Sequence, residues 1–352
     1  MRLSNDCMRL AWAAIGVSVL LVAAFITGVA RKRALLHGVI DVPNERSSHL
    51  TPTPRGGGVS IVVAATAGLL ALTWLGAMRI QLLLAIGGGG LAVAIVGFLD
   101  DRRRLSVAVR FAVHLAAALW ALSWLGGLPA VRVGAEIVTL GWSGYVLGLL
   151  AIVWVLNLFN FMDGIDGIAA SEATFISWAG ALLCYMSPVS SEVTWAAVLL
   201  GTACLGFLRW NWPPARIFMG DVGSGYLGYV IAVLALAAAR ESPVALWAWL
   251  ILGGVFFVDA TVTLLQRLLR GERVYEAHRS HAYQWLARRW GSHAKVTCAV
   301  LIVNVLWLLP CAVFATRRPS LAAATVIVAF TPLVLVAIAT SGRREANDRT
   351  HG

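Results

Sequence analysis

The chain has 352 residues, 59% hydrophobic and only 13% charged, with 28 Lys and Arg against 17 Asp and Glu for a formal net charge of +11. A mean hydropathy of +0.80 excludes an ordinary soluble domain, in which charged residues make up about a quarter of the sequence. The basic excess comes with no nucleic-acid-binding module. It is read as the Lys and Arg bias of membrane loops, with some attraction for anionic headgroups and phosphorylated ligands.

Apolar runs of about 20 residues recur along the whole length, each able to cross a hydrocarbon core of roughly 30 Å. Eleven spans are expected, at about 11–30, 58–78, 80–99, 107–126, 144–161, 166–186, 192–208, 223–239, 244–266, 295–316 and 320–340. The predicted fold class is an all-α polytopic membrane protein forming one integral-membrane domain. The first run ends in Arg31-Lys32-Arg33 and lacks a small-residue cleavage site, so it is expected to stay as a span. Loops 31–57, 100–106, 162–165, 209–222 and 267–294 then share one face with the C-terminal tail. All but seven of the 28 Lys and Arg lie in or beside that set, the exceptions being Arg2, Arg9, Arg79, Arg132, Arg240, Arg317 and Arg318. The basic set is expected to be cytoplasmic, with the N-terminus outside and the C-terminus inside.

The polar clusters follow that face in chain order. The first basic loop reads Asp41-Val-Pro43-Asn44-Glu-Arg46-Ser-Ser-His49, then Pro-rich turns and Arg55-Gly-Gly-Gly. Pro and Gly hold a non-helical path, along which Asn44, Arg46, His49 and Arg55 suit an anion. The third run ends in Gly97-Phe-Leu-Asp100-Asp101. Adjacent helical side chains point about 100° apart, so the pair is expected to divide its labour, one carboxylate near a metal and one near the reacting group.

The fifth run leads into Asn157-Leu-Phe-Asn160-Phe-Met-Asp163-Gly-Ile-Asp166-Gly. Steps of three residues drift by about 60° around a helix, so Asn157 and Asp166 would face opposite ways in an unbroken one. Gly164 and Gly167 predict a break that lets Asp163 and Asp166 converge. Next comes Arg209-Trp-Asn211-Trp-Pro-Pro-Ala-Arg216-Ile-Phe-Met-Gly220-Asp221-Val-Gly-Ser224. A glycine-rich helix start offers N–H groups to an anion, and Asp221 suits a cation joined to that anion, with Asn211 and Arg216 beside it.

Asp259 lies inside the ninth run with Arg267 eight residues on, so it needs a partner from elsewhere. The loop His278-Arg279-Ser-His281-Ala-Tyr283-Gln284 has too few nitrogen or sulfur ligands for zinc and suits phosphate recognition. The five cysteines show no C-x-x-C spacing and read as packing residues. Several carboxylates with arginine-bearing loops favour a hard cation. Mg²⁺ uses one or two carboxylates plus substrate phosphates, and Mn²⁺ is the substitute. An ion or solute transporter is the rival class, but it needs acids near the midplane and repeated halves. These acids sit at one face, and no repeat is evident.

As a set, Asp-Asp at 100–101, Asn-x-x-Asn-x-x-Asp-Gly-Ile-Asp-Gly at 157–167, Phe-Met-Gly-Asp-x-Gly-Ser at 218–224 and the histidine loop resemble the polyprenyl-phosphate N-acetylhexosamine-1-phosphate transferases. This superfamily, glycosyltransferase family 4, also contains the phospho-N-acetylmuramoyl-pentapeptide transferase. The resemblance covers roughly residues 10–340. It implies transfer of a sugar 1-phosphate from a UDP-N-acetylhexosamine to undecaprenyl phosphate, releasing UMP with Mg²⁺ required, in a bacterial inner membrane. By motif, Asp100 and Asp101 take the catalytic pair, and Asp221 takes a magnesium position that Asp101 shares. Asp163 and Asp166 join the catalytic carboxylates, Asn157 and Asn160 line the nucleotide region, and His278, Arg279 and His281 close on the diphosphate. Asp259 resembles the family's acid in the same span. The sequence His-Arg-Ser-His-Ala-Tyr-Gln resembles the O-antigen-initiating branch with 6-deoxy donors, with a UDP-N-acetylglucosamine-specific or peptidoglycan-type enzyme as the alternative. Expected partners are the lipid bilayer and the two substrates, with a homodimer left open and no nucleic acid. A lipid phosphate has its second pKa near 6, so direct attack on the β-phosphate assisted by Asp100 is expected, and an aspartyl-phosphate route is the alternative.

Overall fold

The structure, a computed structural model, describes residues 5–43, 51–103, 105–187, 189–272 and 280–350. Long apolar stretches with no interior proline form helices α1 (Asn5–Leu36), α2 (Val59–Trp74), α3 (Ile80–Arg103), α4 (Val107–Leu125), α5 (Ser143–Met162), α6 (Ile168–Tyr185), α7 (Ser191–Asn211) and α8 (Asp221–Glu241). They are followed by α9 (Ala245–Leu252), α10 (Gly254–Leu269), α11 (Ala282–Trp290), α12 (His293–Val303), α13 (Leu309–Arg317) and α14 (Ala322–Thr350). Two short antiparallel hairpins lie outside the helices. One pairs β1 (Ile40–Asp41) with β2 (Thr53–Pro54), the other β3 (Val131–Val133) with β4 (Glu136–Val138). Irregular backbone is thus confined to the connections, as hydrocarbon demands.

Among the described residues, nine helices are long and apolar enough to span a bilayer, and a tenth crossing counts if α9 and α10 are one span. Two of the eleven expected spans take a different form. The run at 58–78 forms only the 16-residue α2, about 24 Å at 1.5 Å per residue. The run at 244–266 breaks at Gly253 into α9 and α10, bent by 73°. The expected loop 267–294 also contains a helix, α11. The expected break after Met162 is present: α6 begins only at Ile168, after Gly167 at φ 76°.

α8 is the axis of the bundle. Its apolar stretch is 94% buried, against 22% for α4 and for Pro319–Thr340, and it touches α2 to α7 and α9. The Tyr229 hydroxyl donates to the carbonyl oxygen of Ala85 at 2.6 Å, stapling α8 to α3. The perimeter carries side chains suited to lipid, such as Phe25, Leu306 and Ile327, each at least 70% exposed. Between helices in hydrocarbon, close packing and internal hydrogen bonds stabilise association more than apolar burial does. Asn304, in a π-helical turn between α12 and α13, donates to the buried carboxylate of Glu172 at 2.5 Å. At the far end of α8, Arg79 ties Glu192 and Glu241 together. Cys184 and Cys204 are free and buried in the packing.

Candidate active site

α3 and α8 are antiparallel neighbours, so the end of one meets the start of the other. Here the structure gathers Asp100, Asp101, Asp163, Asp166 and Asp221 at one end of the bundle, as the loop assignment expected. Asp100 accepts from the Leu105 backbone N–H at 2.6 Å and from Arg110 Nη1 at 2.7 Å. Asp101 accepts from the backbone N–H groups of Asp221 at 3.0 Å and Val222 at 3.3 Å. The two acids therefore meet different partners.

Arg55, carried by the strand-to-helix connection after β2, bridges two carboxylates. Its Nε lies 2.9 Å from Asp101 and its Nη2 2.8 Å from Asp221. Burial works against the guanidinium charge, but the charges of Asp101 and Asp221 outweigh it and hold the proton more firmly. The second oxygen of Asp221 is 3.5 Å from Arg110.

Asp163 follows the last turn of α5. Burial, and then the negative charge of Asp221, push its carboxyl well above the usual carboxylate range, against the attraction of Arg55. Asn160 donates to the Ser224 hydroxyl at 3.2 Å, which joins α5 to the first turn of α8. Asn157 donates to the Val153 carbonyl at 2.7 Å within its own helix. The Asp166 carboxylate accepts from the Ala215 N–H at 3.0 Å and lies 3.3 Å from His293 Nδ1, to which the Asp166 backbone N–H also donates at 3.3 Å. Asn211 is a clamp: its carbonyl accepts from the Gly167 N–H at 3.0 Å and its amide donates to the Ile217 carbonyl at 3.0 Å. It fixes the α5–α6 break against the loop before α8.

Asp259 finds its missing partner in the start of α11. It accepts from the N–H groups of Ala282 at 2.9 Å and Tyr283 at 3.0 Å and lies 3.4 Å from His281 Nδ1. His281 is buried at the N-cap of α11, where it shares a capping box with Gln284. The Tyr283 hydroxyl, whose pKa is raised by burial and then by Asp259 and Asp163, reaches the end of α5. Arg216 is not drawn into the cluster; it is exposed and its guanidinium sits 6.0 Å from the Trp210 ring. Asn44, Arg46, His49, His278 and Arg279 lie outside the described residues.

Two cavities meet at the carboxylates. A polar one of about 220 Å³ is lined by Asp41, Arg55, Asn211, Asp166 and His293. An apolar groove of about 870 Å³ runs between α4, α5 and α10 past Phe111, Leu150, Trp154, Leu264 and Leu268. Asn160, Asp163, Gly164, Asp221 and Gln284 line both. The arrangement can hold a charged, water-soluble ligand end to end with an amphiphile whose polar head reaches the same acids.

Arg110 and His293 were missed by the sequence reading. Arg110 sits inside an apolar run and His293 stands alone before one, so only the fold brings them to the acids. Among the described residues, no three His, Cys, Asp or Glu side chains form a cage for a metal ion. A cation here would be shared with ligand oxygens, the mode in which Mg²⁺ binds. Asp163 and Asp221 fit that mode: both line the two cavities, and the charge of Asp221 is among the causes that hold the Asp163 carboxyl above its usual range.

A family model described as glycosyl transferase family 4 matches residues 82–239. The chain is 31% identical over 295 residues to the probable undecaprenyl-phosphate N-acetylglucosaminyl 1-phosphate transferase of Bacillus subtilis, covering 82% of this chain and 80% of that protein. It is 28% identical over 335 residues to the decaprenyl-phosphate N-acetylglucosaminephosphotransferase of Mycobacterium tuberculosis, covering 84% and 80%. A phospho-N-acetylmuramoyl-pentapeptide-transferase of Moorella thermoacetica is 32% identical over 256 residues, covering 66% and 76%. With the motifs standing at the junction of the two cavities, the chain belongs to glycosyl transferase family 4, the superfamily of polyprenyl-phosphate hexosamine-1-phosphate transferases.

Proposed function

We propose that this protein transfers an N-acetylated hexosamine 1-phosphate from a UDP-sugar to undecaprenyl phosphate at the cytoplasmic face of a bacterial inner membrane, initiating O-antigen or a related envelope glycan. One observation carries the reading: Asp163 and Asp221 line both the apolar groove and the polar cavity. The groove suits a polyprenyl chain and the polar cavity suits a nucleotide diphosphate. The relatives' names supply the polyprenyl-phosphate acceptor and the N-acetylglucosaminyl 1-phosphate group.

In the reaction, an oxygen of the lipid phosphate attacks the β-phosphorus of the UDP-sugar. The bond to the bridging oxygen breaks and its electrons leave on UMP. The lipid phosphate needs no obligatory base, since it is largely dianionic at neutral pH. Arg110, at the mouth of the groove and held by Asp100, orients that phosphate, which makes Asp100 an assisting group. Arg55 draws in and orients the diphosphate while keeping Asp101 and Asp221 compensated. Asp221 and Asp163 would hold Mg²⁺. When bound, the ion neutralises charge on the diphosphate and the departing UMP.

The test is purified protein with undecaprenyl phosphate and a panel of UDP-sugars, with UMP as readout. Turnover that EDTA abolishes and Mg²⁺ restores, and that Asp221→Asn removes from a folded protein, is expected. Wild-type turnover in that variant removes the assignment. The panel also decides the donor. The His281-Ala-Tyr283-Gln284 segment favours a 6-deoxy N-acetylhexosamine, and reaction with UDP-N-acetylglucosamine alone would overturn that preference.

A further inference from the structure

We propose that Asp101 is a positioning residue. From α3 it caps the N-terminus of α8 and so aims the Asp221 carboxylate, and it does not itself ligate the cation. The inference rests on the reading of Asp221 as the cation's ligand, and it reassigns an acid that the motif alone placed on the metal.

The first N–H groups of a helix have no acceptor within it. They are ordinarily satisfied by a Ser, Thr, Asp or Asn at the N-cap. α8 has Gly220 there, with no side chain and φ 76°. The acceptor is supplied by another helix instead: Asp101 Oδ1 takes the Asp221 N–H at 3.0 Å and Oδ2 takes the Val222 N–H at 3.3 Å. A Cβ at Gly220 would lie 2.4 Å from Asp101 Oδ2, so the glycine leaves room for the foreign carboxylate as well as supplying the turn. Gly97, one turn before Asp101, brings the two backbones together. A Cβ there would lie 2.4 Å from the Asp221 carbonyl oxygen.

Both oxygens of Asp101 are therefore engaged, and Oδ1 also accepts from Arg55 at 2.9 Å. Its side chain is 3% exposed, against 19% for Asp221. Asp221 lines both cavities, and Asp101 is among the lining residues of neither. Only one lone pair of Oδ2 is left over, on a side chain that lies outside both cavities. A carboxylate at a helix start also complements the helix dipole, offsetting part of the cost of burying its charge.

Two measurements on the full chain in detergent test this. The first is hydrogen exchange over residues 218–224 in Asp101→Ala and Asp101→Asn. Faster exchange confined to this segment is expected in the alanine variant, with the asparagine variant, which keeps one acceptor, in between. The second is Mn²⁺ affinity by electron paramagnetic resonance, with no substrate turnover involved. Asp101→Asn should stay within about threefold of wild type, while Asp221→Asn should lose about tenfold or more, a difference of roughly one unit in log Kd. In the same Asp101→Asn variant kcat falls, because Asp221 is held by one contact fewer. Unchanged exchange in Asp101→Ala, or a tenfold loss of Mn²⁺ in Asp101→Asn, overturns the positioning role. If Asp221→Asn binds Mn²⁺ like wild type, the cation reading of Asp221 fails instead, and the exchange result still decides whether Asp101 is the cap. Should Asp101→Ala not fold, Asp101→Asn against wild type serves for both measurements.

Discussion

The hydroxyl of Tyr283 donates to the carbonyl oxygen of Phe161 at 3.0 Å, joining α11 to the last turn of α5 two residues before Asp163. The same hydroxyl lies 2.2 Å from where a Cβ on Gly164 would stand. Gly164→Ala should therefore displace α11 and lower turnover more than Tyr283→Phe, which loses only the hydroxyl's hydrogen bonds, each worth about 1 kcal/mol. In the double variant the hydroxyl is gone and the clash is relieved in part, so activity should recover above that of Gly164→Ala alone. A double variant no better than the single one shows that Tyr283 is not what the added methyl meets.

Arg55 spans Asp101 and Asp221 with two different nitrogens. A lysine ammonium is a point donor and cannot reproduce that fork. Arg55→Ala is expected to lower kcat/KM by about a hundredfold and Arg55→Lys by about tenfold, read as UMP release. Full activity in Arg55→Lys would show that the fork is dispensable.

Trp154 lines only the apolar groove. Trp154→Ala should raise KM for undecaprenyl phosphate by about tenfold, the equivalent of ~1.4 kcal/mol, and leave KM for the UDP-sugar unchanged. An acceptor with a short prenyl chain should be indifferent to the substitution. Equal effects on both substrates would place the lipid elsewhere.

The pH dependence follows from Asp163, whose carboxyl is held above its usual range by burial and then by the charge of Asp221. A raised folded-state pKa makes a contribution to stability that is complete below the unfolded value and lost as pH rises through the folded one. Cation binding selects the ionised form, so protons and cation compete. The Mg²⁺ concentration for half-maximal activity should rise as pH falls. The metal-free protein should lose thermal stability as pH rises above the ordinary carboxylate range, and Mg²⁺ should restore it. A flat Mg²⁺ requirement counts against Asp163 at the cation.

Much of this molecule was legible in one dimension because lipid leaves few choices. An apolar run of span length has to be helical, so the all-α membrane class and most helix limits follow from hydropathy. The placement of Asp100, Asp101, Asp163, Asp166 and Asp221 at one end follows from counting runs. Gly164 and Gly167 announced the break that separates α5 from α6. What the chain order alone does not encode is which backbone a side chain meets across helices. Only the packing of α3 on α8 separates Asp101, turned into the α8 N-terminus, from Asp100, turned to Arg110. Only the 73° bend at Gly253 carries Asp259 to the start of α11. Arg110 and His293 became visible for the same reason, since a lone polar residue in an apolar run acquires its meaning from the neighbour that packing supplies. Sequence determined which groups are present and that they gather at one end of the bundle; the close approach of α3 to α8, and of α11 to α5, decided which of them line the cavities.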